Sequence, residues 1–372
     1  MRILIIHPEN QYFAGAERML GYFLEAMAMQ TGHEIAVAVV PGSRVAALLP
    51  ANVQPVWIED RQAFSVSRLW RQVEALRLFC REHNIDIIHG WAARDWELSA
   101  LTGWLCHRPA IGTLHDHPEA SFISGKRRRL MRWCANHGLK RIICVSSAVQ
   151  NECVKTGYFK EKLAVVHNAL PTISPIPTPR LPDPFRIGFL GAFSERKGLR
   201  DLFQIIDELA AISQEPCEWH LAGSTQDENG ERLLRELRVA YEVKSWWKKI
   251  HWHGWVESPQ DFVKKIDLLI TPSSEFEPFG LVLVEAGQAG VPVLATRVGG
   301  IPEIVVEGKT GWLFDPGNVK QAVEILGHII IPQADLRLQV GKQAVQHIMN
   351  QFSAAKMVAE YCGIYSTFLR NV

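Results

Sequence analysis

Short apolar segments rich in branched side chains alternate along the chain with longer stretches whose apolar residues recur at helical spacing. The short segments are typical of strands buried on both faces of a parallel sheet, and the longer ones are typical of the helices that cover it. In the first half, strands are predicted at residues 2–6, 35–40, 53–58, 85–89, 110–114 and 141–145, and helices from about residue 15 and over 66–82, 95–106 and 124–137.

The pattern stops at a proline-rich stretch and then starts again. Residues 171–184 hold six prolines, which neither a helix nor a central strand tolerates, so a linker between domains is predicted there. Further strands are predicted at 185–190, 218–221, 250–253, 266–270, 291–295 and 311–314, with helices between and after them.

Alternation of strand and helix predicts parallel sheets with right-handed crossovers. We therefore expect an α/β protein of two tandem doubly wound, Rossmann-like domains that face a central cleft. Their predicted bounds are 1–170 and 185–352, joined by the linker at 171–184, and a C-terminal helix at 353–372 is expected to pack back on the first domain.

Composition and charge narrow the classes of protein to which this chain can belong. The 372 residues are 47% hydrophobic and 21% charged, as in ordinary globular proteins, and the formal net charge of +1 gives no support for a nucleic-acid partner. The chain up to Pro184 has 21 basic and 16 acidic residues, whereas the remainder has 19 and 23. The first half is therefore the one expected to face an anionic partner.

The seven cysteines are scattered singly, without a C-x-x-C pair, which favours a reduced, cytoplasmic setting. No signal peptide is predicted before the first strand, and no apolar run approaches the length of a bilayer span. Any association with a membrane is therefore expected to be peripheral.

Two glutamates, Glu277 and Glu285, stand with seven residues between them after the strand predicted at 266–270. A helix is predicted over 280–288, so Glu277 falls at the carboxyl end of a strand and Glu285 about two turns along the helix. In a doubly wound sheet this point is the ligand crevice, and the N–H groups at a helix start bind anions. Two solvated acids on a surface helix are the alternative that the fragment alone leaves open.

A second candidate loop follows the strand predicted at 185–190. Residues 191–198 have glycines at both ends and carry Arg196 and Lys197, which suits phosphate oxygens. The loop lacks the spacing of a P-loop and of G-x-G-x-x-G, so neither an NTPase nor a Rossmann dehydrogenase is favoured. A glycine pair at 299–300 permits close backbone approach to a ligand, although a plain tight turn explains it equally well.

Metal binding is not expected. No D-x-D triplet occurs to hold a divalent ion on a diphosphate, and no carboxylate accompanies His7, His89 or His117 at ligand spacing. Neutralisation of a phosphate then falls to Arg196, Lys197 and backbone dipoles.

Taken in chain order, these fragments resemble the retaining glycosyltransferases of family 4, also described as glycosyl transferases group 1. The second half matches in the loop that ends at Lys197 and Gly198, in the E-x7-E glutamates and in the glycine pair. Fragments of the first half match at 14–17, 86–89, 113–116, 145–146 and 167–169. The resemblance implies the GT-B fold, with the donor bound mainly by the second domain and the acceptor by the first.

The resemblance also implies a role for each matched residue. Glu285 accepts hydrogen bonds from the ribose of a nucleotide, Glu277 contacts hydroxyls of the transferred sugar, and Lys197 neutralises the departing diphosphate. His115 lies beside the anomeric centre, so His115, Lys197 and Glu277 are the catalytic candidates. The donor-binding candidates, several of which act through their backbone, are Gly15, Arg196, Val256, Phe279, Gly280, Leu281, Val282 and Glu285.

Three positions depart from the family pattern. Ala192 replaces the arginine usual in the phosphate loop, and we hypothesise that Arg196 substitutes for it. Ala14 replaces the first glycine of a pair whose second member is Gly15. Ala169 replaces a hinge glycine, which makes a left-handed turn less comfortable there.

The activity implied is a metal-independent, retaining hexosyltransferase that uses a UDP- or GDP-sugar, needs no other cofactor and serves cell-surface polysaccharide or lipopolysaccharide biosynthesis. The expected partners are the nucleotide-sugar donor, a glycan or lipid-linked acceptor and, through the basic helix at 126–132, an anionic membrane. A solvated helix face explains the basic run equally well.

Two further questions stay open at this point. Trp91 and Trp96 either shape an acceptor pocket by stacking on sugars or simply fill the core. The alternatives to a glycosyltransferase are a non-catalytic nucleotide-sugar or glycan-binding protein and a GT-B-fold epimerase or phosphorylase.

Overall fold

The computed structural model describes residues 1–10, 14–30, 32–60, 65–120, 123–171, 184–212 and 217–369. The chain divides into a first unit, Met1–Pro171 with Ser353–Val372, and a second unit, Thr172–Phe352. Most of the predicted linker, residues 172–183, lies outside the described residues.

A seven-stranded parallel sheet forms the centre of the first unit. Its strands are β1 (Arg2–Ile6), β2 (Glu34–Val39), β3 (Gln54–Trp57), β4 (Ile87–Gly90), β5 (Ala110–Leu114), β6 (Arg141–Cys144) and β7 (Leu163–Val165). The helices between them are α1 (Gly15–Gln30), α2 (Val66–Glu82), α3 (Trp96–Cys106), α4 (Gly125–Trp133) and α5 (Ser147–Lys155). The strand order is β3-β2-β1-β4-β5-β6-β7, so the winding reverses between β1 and β4.

Strand β1 lies between β2 and β4 in this sheet. Ile3, Leu4, Ile5 and Ile6 are all fully buried, which explains why this segment is apolar at every position rather than at alternate ones. His7 follows directly, so the strand delivers a polar side chain to the carboxyl edge of the sheet.

The second unit repeats the plan with six parallel strands. They are β8 (Phe185–Leu190), β9 (Cys217–Ala222), β10 (Ile250–Gly254), β11 (Leu268–Thr271), β12 (Val293–Thr296) and β13 (Gly311–Phe314). Its helices are α6 (Leu199–Ile212), α7 (Glu228–Tyr241), α8 (Pro259–Val263), α9 (Leu281–Gln288), α10 (Ile301–Ile304), α11 (Val319–Glu324) and α12 (Ala334–Gln351). The order β10-β9-β8-β11-β12-β13 reverses between β8 and β11, and the two sheets confirm the predicted doubly wound architecture.

The last helix, α13 (Ala354–Leu369), belongs to the first unit and packs on α1. Its buried Tyr365 hydroxyl is 2.9 Å from Nδ1 of His89, whose Nε2 is 2.8 Å from the Thr113 hydroxyl. The Tyr361 hydroxyl also reaches Thr113, at 3.2 Å. Burial lowers the pKa of His89 to about 3, so this histidine is a neutral, hydrogen-bonded part of the core.

Several local features differ from the sequence predictions. Strand β7 and helix α5 were not predicted, and the helix predicted over 124–137 ends at Trp133 and continues as a π turn, Cys134–Gly138. All seven cysteines lie in described residues, and none forms a disulfide. Among the described helices, none combines the length and the apolar character needed to cross a bilayer.

Candidate functional site

The winding of the second sheet reverses between β8 and β11, and the loops after these two strands carry the predicted phosphate loop and Glu277. Adjacent parallel strands end at the same edge of the sheet. Ligands of open α/β sheets bind in the crevice outside the carboxyl ends at such a reversal. The topology therefore brings two separate sequence fragments to one place.

An ion pair joins the two loops. The Lys197 ammonium donates a hydrogen bond to Oε2 of Glu277, and Nη1 of Arg196 lies 3.8 Å from the same oxygen. The side chains of Lys197 and Glu277 are 19% and 11% exposed, whereas that of Arg196 is 44% exposed. Two cations share one carboxylate, so the group keeps an excess positive charge toward an anionic ligand.

Hydrogen bonds from Ser274 and a close glycine contact lock the loop at 191–198 against the loop after β11. Ser274 donates from its N–H to the Arg196 carbonyl at 3.1 Å and from its hydroxyl to the Glu195 carbonyl at 2.7 Å. Gly198 has a φ of +71°, and a Cβ there would lie 1.7 Å from the Pro272 carbonyl oxygen. Only glycine fits this contact, so the position of Lys197 depends on its neighbour in the sequence.

The glycine pair at 299–300 holds Glu277 from the other side. The Gly300 N–H donates to the Glu277 carbonyl at 2.8 Å, and a Cβ on Gly299, whose φ is +53°, would lie 2.0 Å from the same oxygen. The close backbone approach that the structure shows here is to Glu277 of the same unit, and approach to a ligand stays a prediction. The glycine pair therefore fixes the backbone of Glu277, while Lys197 and Arg196 hold its carboxylate.

Helix α9 follows directly and carries Glu285. The helix begins at Leu281, so Glu285 is its fifth residue, little more than one turn from the start rather than the two turns predicted. Glu285 is only 1% exposed. The side chain of Phe279 is buried and packs against Phe352, at 5.8 Å between ring centroids, which leaves its backbone as the group able to meet a ligand.

The other donor candidates of this unit divide into two groups. Gly280, Leu281 and Val282 form the cap and first turn of α9, next to Glu277. Val256 lies instead in the loop after β10, the strand at the far edge of the sheet. The structure thus groups all the predicted donor residues of this unit except Val256.

In the first unit, His115 follows β5 and stands against Trp91, with ring centroids 5.1 Å apart. Trp91 donates from its indole N–H to the Ala16 carbonyl at 2.8 Å, which ties it to the start of α1. Both Trp91 and Trp96 are fully buried, so the idea that they stack on an acceptor sugar is wrong and they pack in the core.

His115 is a neutral imidazole at pH 7. Burial, followed by the charge of His7, lowers its pKa to about 4. Both ring nitrogens are shielded from solvent, and neither has a hydrogen-bond partner of good geometry in the described part of the chain. A ring in this state is able to donate or accept a hydrogen bond to a ligand hydroxyl.

A charged cluster that the sequence analysis missed lies at the winding reversal of the first sheet. His7 Nδ1 is 2.9 Å from Asp95 and His7 Nε2 is 3.3 Å from Glu17, and all three side chains are buried. Glu17 also accepts from the Ala14 N–H at 2.7 Å, beside the exposed Gly15 that begins α1. The cluster therefore anchors the segment that carries Gly15.

The contacts in this cluster shift the ionisation of His7 and of Glu17. Burial alone lowers the pKa of His7, but Asp95 and Glu17 outweigh it and raise that pKa to about 9. Burial opposes ionisation of Glu17, yet hydrogen bonding to His7 holds its pKa below the usual value. His7 is thus a buried imidazolium at pH 7.

The basic segment at 126–132 is largely occupied by internal ion pairs. Arg127 lies 3.2 Å from Glu97, while Arg128 and Arg132 lie 3.2 and 3.6 Å from Glu119. The exposed residues of α4 beyond its first position are Lys126, Arg129, Leu130 and Trp133. The surface that this helix offers is therefore narrower and more aromatic than its sequence indicates.

Two family models match the chain in succession. The model described as Glycosyltransferase Family 4 matches residues 13–172, and the one described as Glycosyl transferases group 1 matches residues 176–347. The chain has the GT-B fold. It belongs to the family that these two models describe, as its sequence fragments indicated.

Individual relatives match over shorter stretches. N-acetyl-alpha-D-glucosaminyl L-malate synthase of Bacillus anthracis is 40% identical over 102 residues, 26% of this chain and 26% of the synthase. The capsular polysaccharide biosynthesis glycosyltransferase CapM of Staphylococcus aureus is 27% identical over 191 residues, 51% of this chain and 48% of CapM. This chain therefore aligns with about a quarter of one relative and about half of the other.

The fold similarity extends over the whole chain. HepE from Anabaena, solved in complex with UDP and glucose, has a TM-score of 0.81 and 20% sequence identity, covering 99% of this chain and 100% of HepE. At this identity the comparison shows a shared GT-B fold.

The His7 cluster predicts a pH dependence of stability. Because the pKa of His7 rises from 6.5 to about 9 on folding, its contribution is complete below pH 6.5 and is lost as the pH rises through 9. The difference in unfolding free energy between wild type and His7→Gln should therefore shrink between these pH values, by on the order of 3 kcal/mol. Urea unfolding of the first unit in wild type and in His7→Gln, at pH 6.5 and at pH 9, measures this difference in unfolding free energy.

The control for this experiment is His89→Gln. Folded His89 is neutral across the range, since its pKa is about 3, so only half-protonation of the unfolded state at pH 6.5 contributes and the gap between wild type and His89→Gln should change by less than about 0.5 kcal/mol. If the difference in unfolding free energy between wild type and His7→Gln stays constant or widens with rising pH, His7 is not a buried imidazolium.

Proposed function

We propose that the protein is a cytoplasmic, retaining glycosyltransferase that moves a sugar from a UDP- or GDP-sugar to a glycan or lipid-linked acceptor in cell-surface polysaccharide or lipopolysaccharide biosynthesis. The observation that carries this proposal is the Lys197–Glu277 ion pair, flanked by Arg196, at the winding reversal of the second sheet. The role of CapM in capsular polysaccharide biosynthesis and the UDP and glucose bound by HepE support the same class of reaction.

Donor binding is assigned to groups already fixed in the second unit. Glu285 accepts hydrogen bonds from the ribose, and Glu277 contacts hydroxyls of the sugar, because carboxylates are strong acceptors for charge-assisted hydrogen bonds. The backbone N–H groups at the start of α9 meet sugar and phosphate oxygens. Val256 contacts the base through its backbone.

Charge stabilisation is assigned to Lys197 and Arg196. Negative charge grows on the departing diphosphate in the transition state, and a cation held in place beforehand stabilises that state most. Arg196 also stands in for the arginine replaced by Ala192. With two cations and oriented N–H groups at this point, the proposed reaction needs no metal ion.

Retention is proposed to occur by attack from the face that the leaving group departs, without a protein nucleophile. We extend the proposal to the first unit, where the neutral His115 contacts the transferred sugar near its anomeric centre. Gly15 is assigned to the donor phosphate, and the buried His7 cluster keeps the start of α1 in place.

Replacing Lys197 should impair the chemical step. We expect Lys197→Ala to lower kcat by roughly a hundredfold or more, the scale for losing one oxyanion donor, with a smaller change in KM. The measurement is release of nucleoside diphosphate from a panel of sugar donors. Lys320→Ala, which removes an exposed lysine of α11, is the matched control and should keep wild-type turnover.

The same assay tests the assigned roles. Near-normal turnover of Lys197→Ala would show that Lys197 does not stabilise the departing diphosphate. Unchanged donor affinity of Arg196→Ala would show that Arg196 does not replace the arginine that is missing at Ala192. A non-catalytic nucleotide-sugar-binding protein would bind a donor and release no nucleoside diphosphate from any of them.

For a lipid-linked acceptor we propose peripheral contact with an anionic membrane through the exposed residues of α4. Lys126 and Arg129 lie beside Leu130 and Trp133, which are 39% and 61% exposed. This pairing of cations with apolar side chains suits the interface of an anionic bilayer.

Lys126→Gln combined with Arg129→Gln should weaken co-sedimentation with phosphatidylglycerol vesicles by roughly tenfold or more, since each cation near the surface is worth about 1 kcal/mol. Lys248→Gln combined with Lys249→Gln removes two exposed cations from the second unit and serves as the control. Equal losses in both double variants would indicate a general effect of net charge and exclude α4 as the contact.

A further inference from the structure

Four polar side chains lie on one face of the β9 and β10 edge of the second sheet. Glu218 and His220 are two residues apart on β9, and His251 and His253 are two apart on β10, so each pair projects to one side of its strand. In the parallel register, His251 is the partner of His220. Strand β10 is the last strand of the sheet.

Three of these side chains converge on one point. His220 Nε2 lies 3.9 Å and His251 Nε2 lies 3.4 Å from the same carboxylate oxygen, Oε2 of Glu218. The two imidazole rings are stacked, with centroids 4.7 Å apart. One ligand atom from each residue lies within 4.8 Å of the other two. Two imidazoles and one carboxylate, with a fourth position for water, form a common ligand set for zinc.

His220 is held in the way that a metal-binding histidine is held. Its Nδ1 lies 3.0 Å from Nε2 of His253, while its own Nε2 is buried without a hydrogen-bond partner among the described residues. With the proton on Nδ1, His220 donates to His253 and keeps the lone pair of Nε2 free. The opposite tautomer would bury an N–H group without an acceptor, which is costly. An outer hydrogen bond of this kind fixes the tautomer and orientation of a ligand histidine.

The surrounding charges permit a divalent ion. Arg186 and Lys265 are close enough to affect His220, but Arg186 donates two hydrogen bonds of 2.9 Å to the carboxylate of Asp267. That pairing offsets the charge of Arg186. Glu218 supplies a negative charge directly at the point where the ligand atoms converge.

We propose that Glu218, His220 and His251 bind one zinc ion, and that His253 positions His220. Zinc bonds of about 2.0–2.2 Å require the ligand atoms to draw together by about 1 Å. The side chains of His251 and Glu218 are 45% and 35% exposed, so they have room to make this adjustment. The ion cross-links the edge strand β10 to β9. All four residues lie within β9 and β10, and none belongs to the loops that carry Lys197, Glu277 or Val256, so none of them is among the residues assigned to donor binding.

The test is zinc binding by the full chain after metal removal with a chelator, measured under reducing conditions near neutral pH by competition with a chromophoric zinc indicator. Wild type should bind an equivalent of zinc that His251→Ala and Glu218→Gln bind roughly tenfold or more weakly. His253→Ala should weaken binding by about 10- to 100-fold, because His220 loses its orienting partner. Zinc should raise the Tm of wild type and not that of His251→Ala.

His328→Ala removes an exposed histidine elsewhere in the second unit and should bind zinc as wild type does. If His251→Ala is poorly folded, His251→Gln replaces it, since the side chain is partly exposed and its amide keeps the polarity of the surface. Equal zinc affinity of wild type and the folded His251 variant overturns the proposal, as does wild type that binds no equivalent. Neither readout uses glycosyl transfer, so the outcome is independent of the proposed function.

Discussion

The ion pair between Lys197 and Glu277 is the interaction on which the candidate donor site depends. As a partly exposed pair it adds little to stability, since such pairs contribute about 0–1 kcal/mol. Its value lies in position, because it holds a cation and a carboxylate together before any ligand arrives. The geometry in turn needs glycine at Gly198 and Gly299, where the backbone comes too close for any side chain. Two glycines in separate loops thus determine where the charged groups stand.

Much of the fold could be predicted because strands of a parallel sheet buried on both faces form continuous apolar runs. Strand β7 escaped because three residues are too few to show a pattern. The candidate loops were also identified, each at the end of its own strand. Their ion pair could not be, because Lys197 and Glu277 are 80 residues apart and meet only through the pairing of β8 with β11.

The contacts in the first unit were even harder to predict from the sequence. His7, Glu17 and Asp95 are unremarkable in the sequence, and His7 meets Asp95 across 88 residues because β1 and β4 are neighbours in the sheet. Residue type also misled in this unit, since Trp91 resembles a sugar-stacking residue yet is fully buried. The basic run of α4 looked like a free surface, whereas local carboxylates bind most of its arginines. The chemistry of single residues could be predicted from the sequence, but the contacts between residues could not.

Binding of UDP, GDP and ADP to wild type and to Glu285→Gln, measured by thermal shift and calorimetry, is the most direct test of the candidate donor site. UDP or GDP should raise the Tm of wild type, and Glu285→Gln, which weakens the acceptor for the ribose, should lose most of the shift. Glu324→Gln, an exposed change on α11, should keep it. Failure of all three nucleotides to stabilise wild type, or an undiminished shift in Glu285→Gln, would contradict the placement of a nucleotide-sugar site on these loops.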